Sequence, residues 1–293
     1  MPIIDFIITV FCLIDDEYKK ITTPIRKGGF PPALSDSEVI TMEIVGEFQG
    51  KETDKDIWNY FRNHWLELFP KMGCRTTFAR QAANLHVVKQ IIQQRLAINL
   101  GAFSDTLHLV DGFPMPVCKF ARAHFNQIFK GQAAYGYCAT KQETYYGFHG
   151  HLAINSMGVI TASTFTAANV DERDVCPELM EKIQGLAIGD KGFIRPVLKE
   201  ELSKQGLYLE TPLRDNMEDD RPQRFLEWIV TVRRLVETVI GQLSERFHIE
   251  RIRARDLWHQ ASRFWRKILA HTVCIKINLY LGNEPLQFEA LIE

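Results

Sequence analysis

The sequence predicts an α/β protein: a mixed five-stranded sheet flanked by helices, preceded by an all-helical N-terminal domain. Three observations point there. Apolar residues recur at helical spacing through the first hundred residues, then give way to short strand-like runs from Thr106 onward. The runs come first as a meander and later alternate with helical segments, which is the order of a mixed sheet covered by helices. At 293 residues with 46% hydrophobic side chains, the chain can bury the cores this requires.

Residues 1–103 read as helices. Ser35 and Glu38 form a capping box ahead of the apolar stripe Val39, Ile40, Ile44, Val45 and Phe48. A second helix follows Thr53 and carries Ile57, Trp58, Phe61 and Trp65. A third starts near Thr76 and runs to Gly101. Such a module is either a plain helical bundle or a helix-turn-helix-like DNA binder. Residues 104–280 form the α/β domain with basic helices at its end, and 281–293 a tail. Strands are expected at 106–111, 145–155, 159–167, 186–190 and 207–211, with helices at 171–183, 192–203 and 224–247. This element order is that of the ribonuclease H-like fold.

The net charge of −1 conceals a basic block: residues 221–280 hold 12 Lys or Arg against 5 Asp or Glu. Arg246, Arg251, Arg253, Arg255, Arg263 and Arg266 make it suited to phosphate. It is otherwise a solvated helical surface. Trp258, Phe264 and Trp265 interleave with it and read as core more than as base-stacking platforms. Six scattered Cys, without a CxxC pair, predict reduced thiols and neither zinc nor disulfides. The apolar start contains Asp5 and no basic leader, and no apolar run has membrane-spanning length, so a cytoplasmic protein without membrane partners is expected.

Asp111 and Asp190 each end a short apolar run and are followed within two residues by Gly. Singly, each is an ordinary turn sequence. Placed on adjacent strands, they would share one crevice, where two carboxylates repel unless a cation lies between them. Glu237, beside the apolar stripe of the 224–247 helix, can approach that crevice, with Arg233 one turn earlier. The duller alternative is a surface Arg233–Glu237 ion pair. His149 and His151 share one strand face, either near such a metal site or phosphate, or as hydrogen-bonded strand histidines. No Gly-x-Ser-x-Gly, P-loop or Rossmann fingerprint supports another enzyme class.

Three blocks, Leu109-Val-Asp111-Gly-Phe-Pro-Met-Pro-Val-Cys118, Ala187-Ile-Gly-Asp190-Lys-Gly-Phe193 and Arg233-Arg-Leu-Val-Glu237-Thr-Val-Ile-Gly-Gln-Leu-Ser-Glu-Arg-Phe247, resemble the acidic motifs of bacterial insertion-sequence transposases of the DDE superfamily. The Tyr146–Leu152 and Thr166–Arg173 segments fit the same family. The resemblance implies catalytic and metal-holding roles for Asp111, Asp190 and Glu237, with Mg²⁺ as cofactor and Mn²⁺ as its substitute. It implies DNA contacts by Arg233, Arg234, Arg246, Arg251, Arg253, Arg255, His149 and His151. The partners implied are double-stranded DNA with terminal inverted repeats and a target DNA, handled by at least a dimer. Val230 and Ser244 stand where relatives often have Tyr and Lys, so no Lys role is carried over and Arg234 or Arg246 takes the phosphate contact. A ribonuclease H-like nuclease or resolvase, and an inactive DNA-binding regulator, remain the alternatives.

Overall fold

The computed structural model describes residues 1–22, 28, 30–214 and 216–292. It divides into two compact units, Met1–Leu96 with Leu243–Glu293, and Ala97–Gln242. The sequence boundaries grouped residues 243–280 with the sheet; here they belong with the N-terminal helices.

The first unit is helical: α1 (Ile3–Tyr18), α2 (Asp36–Phe48), α3 (Asp54–His64), α4 (Arg75–Asn84), α5 (His86–Asn99) and, from the far end of the chain, α10 (Leu257–Leu281). The capping box is present, with Glu38 N donating to Ser35 Oγ at 3.1 Å and Ser35 N to Glu38 Oε2 at 2.6 Å. The single helix expected after Thr76 is two, parted at Leu85, where ψ is 12° and the side chain is wholly buried.

α2 is buried almost along its whole length, and α10 packs on it and on α4. Charge explains the grouping as much as apolar matching. Arg266 of α10 is buried; it pairs with Glu47, donates from Nη1 to Asp54 Oδ1 at 2.5 Å and from Nη2 to Glu52 O at 3.1 Å. Lys267 donates to Glu47 Oε2 at 2.6 Å, Arg263 to Asp54 Oδ2 at 2.6 Å, and Lys89 to Glu43 and Ser262, each at 2.8 Å. Burial pushes Lys267 down to about 8. Buried charges persist only when paired and hydrogen-bonded. Arg263 and Arg266 are therefore internal ion-pair residues, not part of a basic surface. Phe264 and Trp265 are core, as expected, whereas Trp258 is half-exposed against His86. The tail folds back: Phe288 is buried with its ring 6.0 Å from that of Phe247.

The second unit holds the sheet: β1 (Leu107–Lys119), β2 (Ala134–Cys138), β3 (Glu143–Asn155), β4 (Ile160–Ala167), β5 (Gly185–Ile188) and β6 (Leu207–Glu210). The order is β2-β3-β1-β5-β6, with β4 also on β3. β1, β3, β4 and β2 are antiparallel neighbours, while β1, β5 and β6 run parallel, so the sheet is mixed as expected. α6 (Phe120–Ala123), α7 (Glu172–Leu179), α8 (Pro196–Lys204) and α9 (Gln223–Glu245) complete it. Val110, Ala153 and Ala187 of the sheet pack with Leu179 of α7 and with Leu198 and Leu202 of α8.

Two features exceed the expectation. β2 is a sixth strand, and β1 does not end at Asp111 but continues through Pro114 and Pro116. Its ladder with β5 stops at Leu109, so beyond that point β1 has a neighbour on the β3 side only. Proline, which lacks an N–H, is tolerated on such an edge. All six Cys are free, and no described helix is long and apolar enough to cross a membrane.

Candidate active site

Register places the two aspartates. Leu109 of β1 pairs with Ile188 of β5 in the parallel ladder. Asp111 and Asp190 lie two residues beyond that pair on their respective chains. By strand alternation they share its face, at the carboxyl end where ligands of α/β sheets are met. Asp111 Oδ1 accepts from Gly112 N at 2.8 Å; Asp190 caps a short 3-10 turn and accepts from Gly192 N at 2.6 Å. The glycine after each acid thus supplies the amide that orients it.

Arg233 of α9 approaches from one side, its Nη2 3.5 Å from Asp111 Oδ2. Its buried Nε has no hydrogen-bond partner among the described residues. On the other face, which Gly112 turns toward, stand His149 of β3 and Glu172 at the start of α7, with Nε2 and Oε1 2.8 Å apart. The contact is short, but His149 Nε2 lacks hydrogen-bond alignment. His151 stacks on His149 with ring centroids 5.0 Å apart and meets Thr166 Oγ1 at 2.9 Å. Burial holds His151 down at about 4, so it is neutral.

The electrostatics are those of crowded acids. Burial, with the charges of Asp190 and Glu172, lifts Asp111 to about 6, against the lowering effects of Gly112 N and Arg233. Burial and then Glu172 raise Asp190. Glu172 was not singled out as a site residue in the sequence; the only signal was the Asp-Glu-Arg run ending the Thr166–Arg173 segment. Glu237, by contrast, is exposed and makes no hydrogen bond or ion pair among the described residues. The alternative reading of Arg233 and Glu237 as a surface ion pair is not met among the described residues, Arg233 facing Asp111 instead. No group of three His, Cys, Asp or Glu has metal-holding geometry among the described residues.

The remaining basic residues divide by environment. Arg234 is exposed on α9. In the helical unit, Arg251 and Arg255 are exposed; Arg253 is exposed but 2.9 Å from Glu52, and Arg246 lies over the Phe48 ring at 4.6 Å.

Two predictions arise here. A Cβ on Gly112 would stand 2.3 Å from His149 Nε2 and 2.6 Å from Glu172 Oε1. Gly112→Ala forces that pair apart; both are side-chain ends that can move, so the expected loss of stability is about 1–3 kcal/mol. Activity that depends on the two acids should fall roughly a hundredfold, because the displacement lies beside them. Urea unfolding and an activity assay on one preparation would expose a wild-type-like variant and refute the packing. The second concerns pH. The folded-state value of Asp111 lies above its unfolded value, so the folded protein holds the proton more tightly. Wild type therefore loses stability as pH rises from about 4 through about 6. Asp111→Asn escapes this. In EDTA it should be more stable than wild type at pH 7.5, by on the order of 2–3 kcal/mol, and the gap should close below pH 4. A gap independent of pH would show that Asp111 is not strained by its charge.

Fold and site together define a class: a ribonuclease H-like enzyme with a pair of carboxylates side by side at the sheet's carboxyl end. The family model for the transposase DDE domain matches residues 102–257, more than half the chain. The cryo-EM structure of a piggyBac transposase synaptic complex with hairpin DNA is similar in fold, with a TM-score of 0.50 at 9% identity, over 98% of this chain and 76% of that one. No curated protein matches the sequence. The chain belongs to the transposase DDE domain family and is an enzyme that acts on DNA.

Proposed function

We propose that the protein is a DNA transposase that cleaves at transposon ends and joins them to target DNA in a Mg²⁺-dependent reaction, with Mn²⁺ as a working substitute. The observation that carries this is the placement of Asp111 and Asp190, each two residues beyond the Leu109–Ile188 register pair, as two half-buried carboxylates raised by desolvation and crowding. Such a pair fits a hard divalent cation: the donors are oxygens, and the raised values mark negative charge awaiting neutralisation. Asp111 and Asp190 would hold the ions, with Glu237 completing one site. When bound, two such ions activate the attacking water or 3′-hydroxyl and stabilise the leaving oxygen of an in-line displacement.

The chain's own residues do the positioning. Gly112 N and Gly192 N fix the carboxylate rotamers. Arg233 steadies Asp111 through Nη2 and keeps Nε free to donate to a phosphate oxygen. His149, held at Glu172, offers a further polar contact to the strand. Arg234, Arg246, Arg251, Arg253 and Arg255, with His151 behind His149, complete the proposed DNA contacts, and the N-terminal helices hold inverted-repeat DNA. Two ends must be handled together, so the active complex is at least a dimer.

The test is an excision-and-insertion assay in cells with the gene and its native flanking DNA, wild type against Asp190→Ala. Junctions at a fixed pair of ends from wild type alone establish transposition. Nicking by the purified protein without any junctions would replace the reading with that of a nuclease.

A further inference from the structure

The stretch between Asp111 and β3 is charged with one sign. Gly112 to Gln142 contains Lys119, Arg122, Lys130 and Lys141 and no Asp or Glu. All four are exposed. The same stretch leaves large rings in solvent: Phe120 is 60% exposed, Phe125 79%, Tyr135 49% and Tyr137 64%. Scattered apolar side chains on a surface need no explanation, but these are grouped. Phe120 meets Tyr135 edge-on at 5.7 Å, and Tyr135 meets Tyr146 at 5.6 Å.

Register sets their direction. Asp111 pairs with Leu152 on β3, and residues directly opposite share a face. Counting along β3 by twos from Leu152 leads through Gly150 and Phe148 to Tyr146 and Thr144, whose partners on β2 are Tyr135 and Tyr137. The two exposed tyrosines therefore stand on the sheet face that holds Asp111. β1 itself covers about 26 Å from Asp111 to Lys119. A track of aromatic rings thus leads away from the aspartates across one face to the sheet's β2 end, with Arg122 and Lys130 exposed in the segment that joins β1 to β2; Lys119, opposite Tyr145 and 3.9 Å from Glu143, stands on the other face.

We propose that this surface holds an unpaired length of DNA strand leaving the Asp111–Asp190 centre, its bases stacked on Tyr135, Tyr137 and Phe120 and its phosphates met by Arg122 and Lys130. Basic groups alone suit any duplex, because phosphates are always outward. Exposed rings add something only where base faces are free, and stacking of that kind tolerates any sequence. The inference rests on Asp111 and Asp190 being the reacting centre.

The test uses the full chain in EDTA, so that no strand is cut. Two probes share one sequence: a blunt duplex, and the same duplex with an overhang of about six nucleotides carrying 2-aminopurine, a length within the range such grooves hold. Wild type should bind the overhang probe more tightly and quench its fluorescence. Tyr135→Ala/Tyr137→Ala should weaken the overhang probe at least about fivefold and abolish quenching, with blunt affinity unchanged. Tyr135→Phe/Tyr137→Phe should keep both, and circular dichroism should show all variants folded. Unchanged binding by the alanine variant, or equal loss on both probes, overturns the proposal. So does DNA-free self-association of wild type that the alanine variant abolishes, which would make the patch a contact between copies. If Asp190→Asn quenches normally yet still cuts with Mg²⁺, the reading of the centre fails while the stacking surface stands.

Discussion

Asp190→Asn protein will bind end DNA like wild type and cut it at least about a thousandfold more slowly, and Asp111→Asn will do the same. The magnitude follows from what the pair does. Both acids lie in a partly dry crevice, where a preorganised charge is worth far more than in water, and removal of even one neutral donor at a reacting oxygen costs about 10²–10³ in rate. Asparagine keeps the side-chain oxygen that accepts the Gly112 or Gly192 amide, so the local backbone should hold. What is lost is the negative charge that balances a divalent cation. Mn²⁺ should raise the melting temperature of wild type and leave that of these variants unchanged, since a ligand stabilises only the state that binds it. An Asp190→Asn enzyme with near-normal cleavage would remove this crevice as the reaction centre.

The third acid is where resemblance and geometry part. The family motif assigns Glu237, which is exposed on α9 one turn from Arg233; the charges that raise Asp111 and Asp190 include Glu172 instead. Both variants belong in the same assay. Glu237→Gln should lose cleavage as Asp190→Asn does, while Glu172→Gln should retain more, since its role is to hold His149. The reverse ranking would transfer the third ligand to Glu172.

Why some of this was legible in the sequence and some was not follows from the range of the forces. Asp111 and Asp190 could be read because period-two alternation and a following glycine are local, and the β1–β5 pairing is the normal outcome of a mixed sheet. Glu172 and His149 meet only because a glycine leaves the space between them. The β2 strand is hard to read because its five residues carry Gly136 at the centre, which weakens a strand pattern. Arg263 and Arg266 looked like surface cations because a charge count sees one segment at a time. The carboxylate that holds both, Asp54, lies more than 200 residues away in the chain.

That long-range pairing gives the largest expected effect on stability. Arg266→Met should destabilise the protein by about 3–5 kcal/mol, the usual cost of removing one member of a buried ion pair. Methionine fills most of the volume, so the loss is electrostatic: Glu47 and Asp54 must then rely on Lys267 and Arg263 alone in a largely buried site. The pH dependence separates this from a packing defect. Burial alone would raise Asp54, but Arg266 and Arg263 hold it well below the usual carboxylate range. A depressed acid contributes stability above its unfolded value and loses it as pH falls through the folded one. Wild type should therefore weaken as pH drops below about 4, and Arg266→Met should show a shallower decline, because its Asp54 is no longer so depressed. Adding Asp54→Asn and Glu47→Gln to Arg266→Met should deepen the loss rather than return it, since Lys267 and Arg263 are then left without their carboxylates. Urea unfolding across pH measures all three proteins. A loss below about 1 kcal/mol, or one with the pH profile of wild type, would mean that the network is not what joins α10 to α2 and α3.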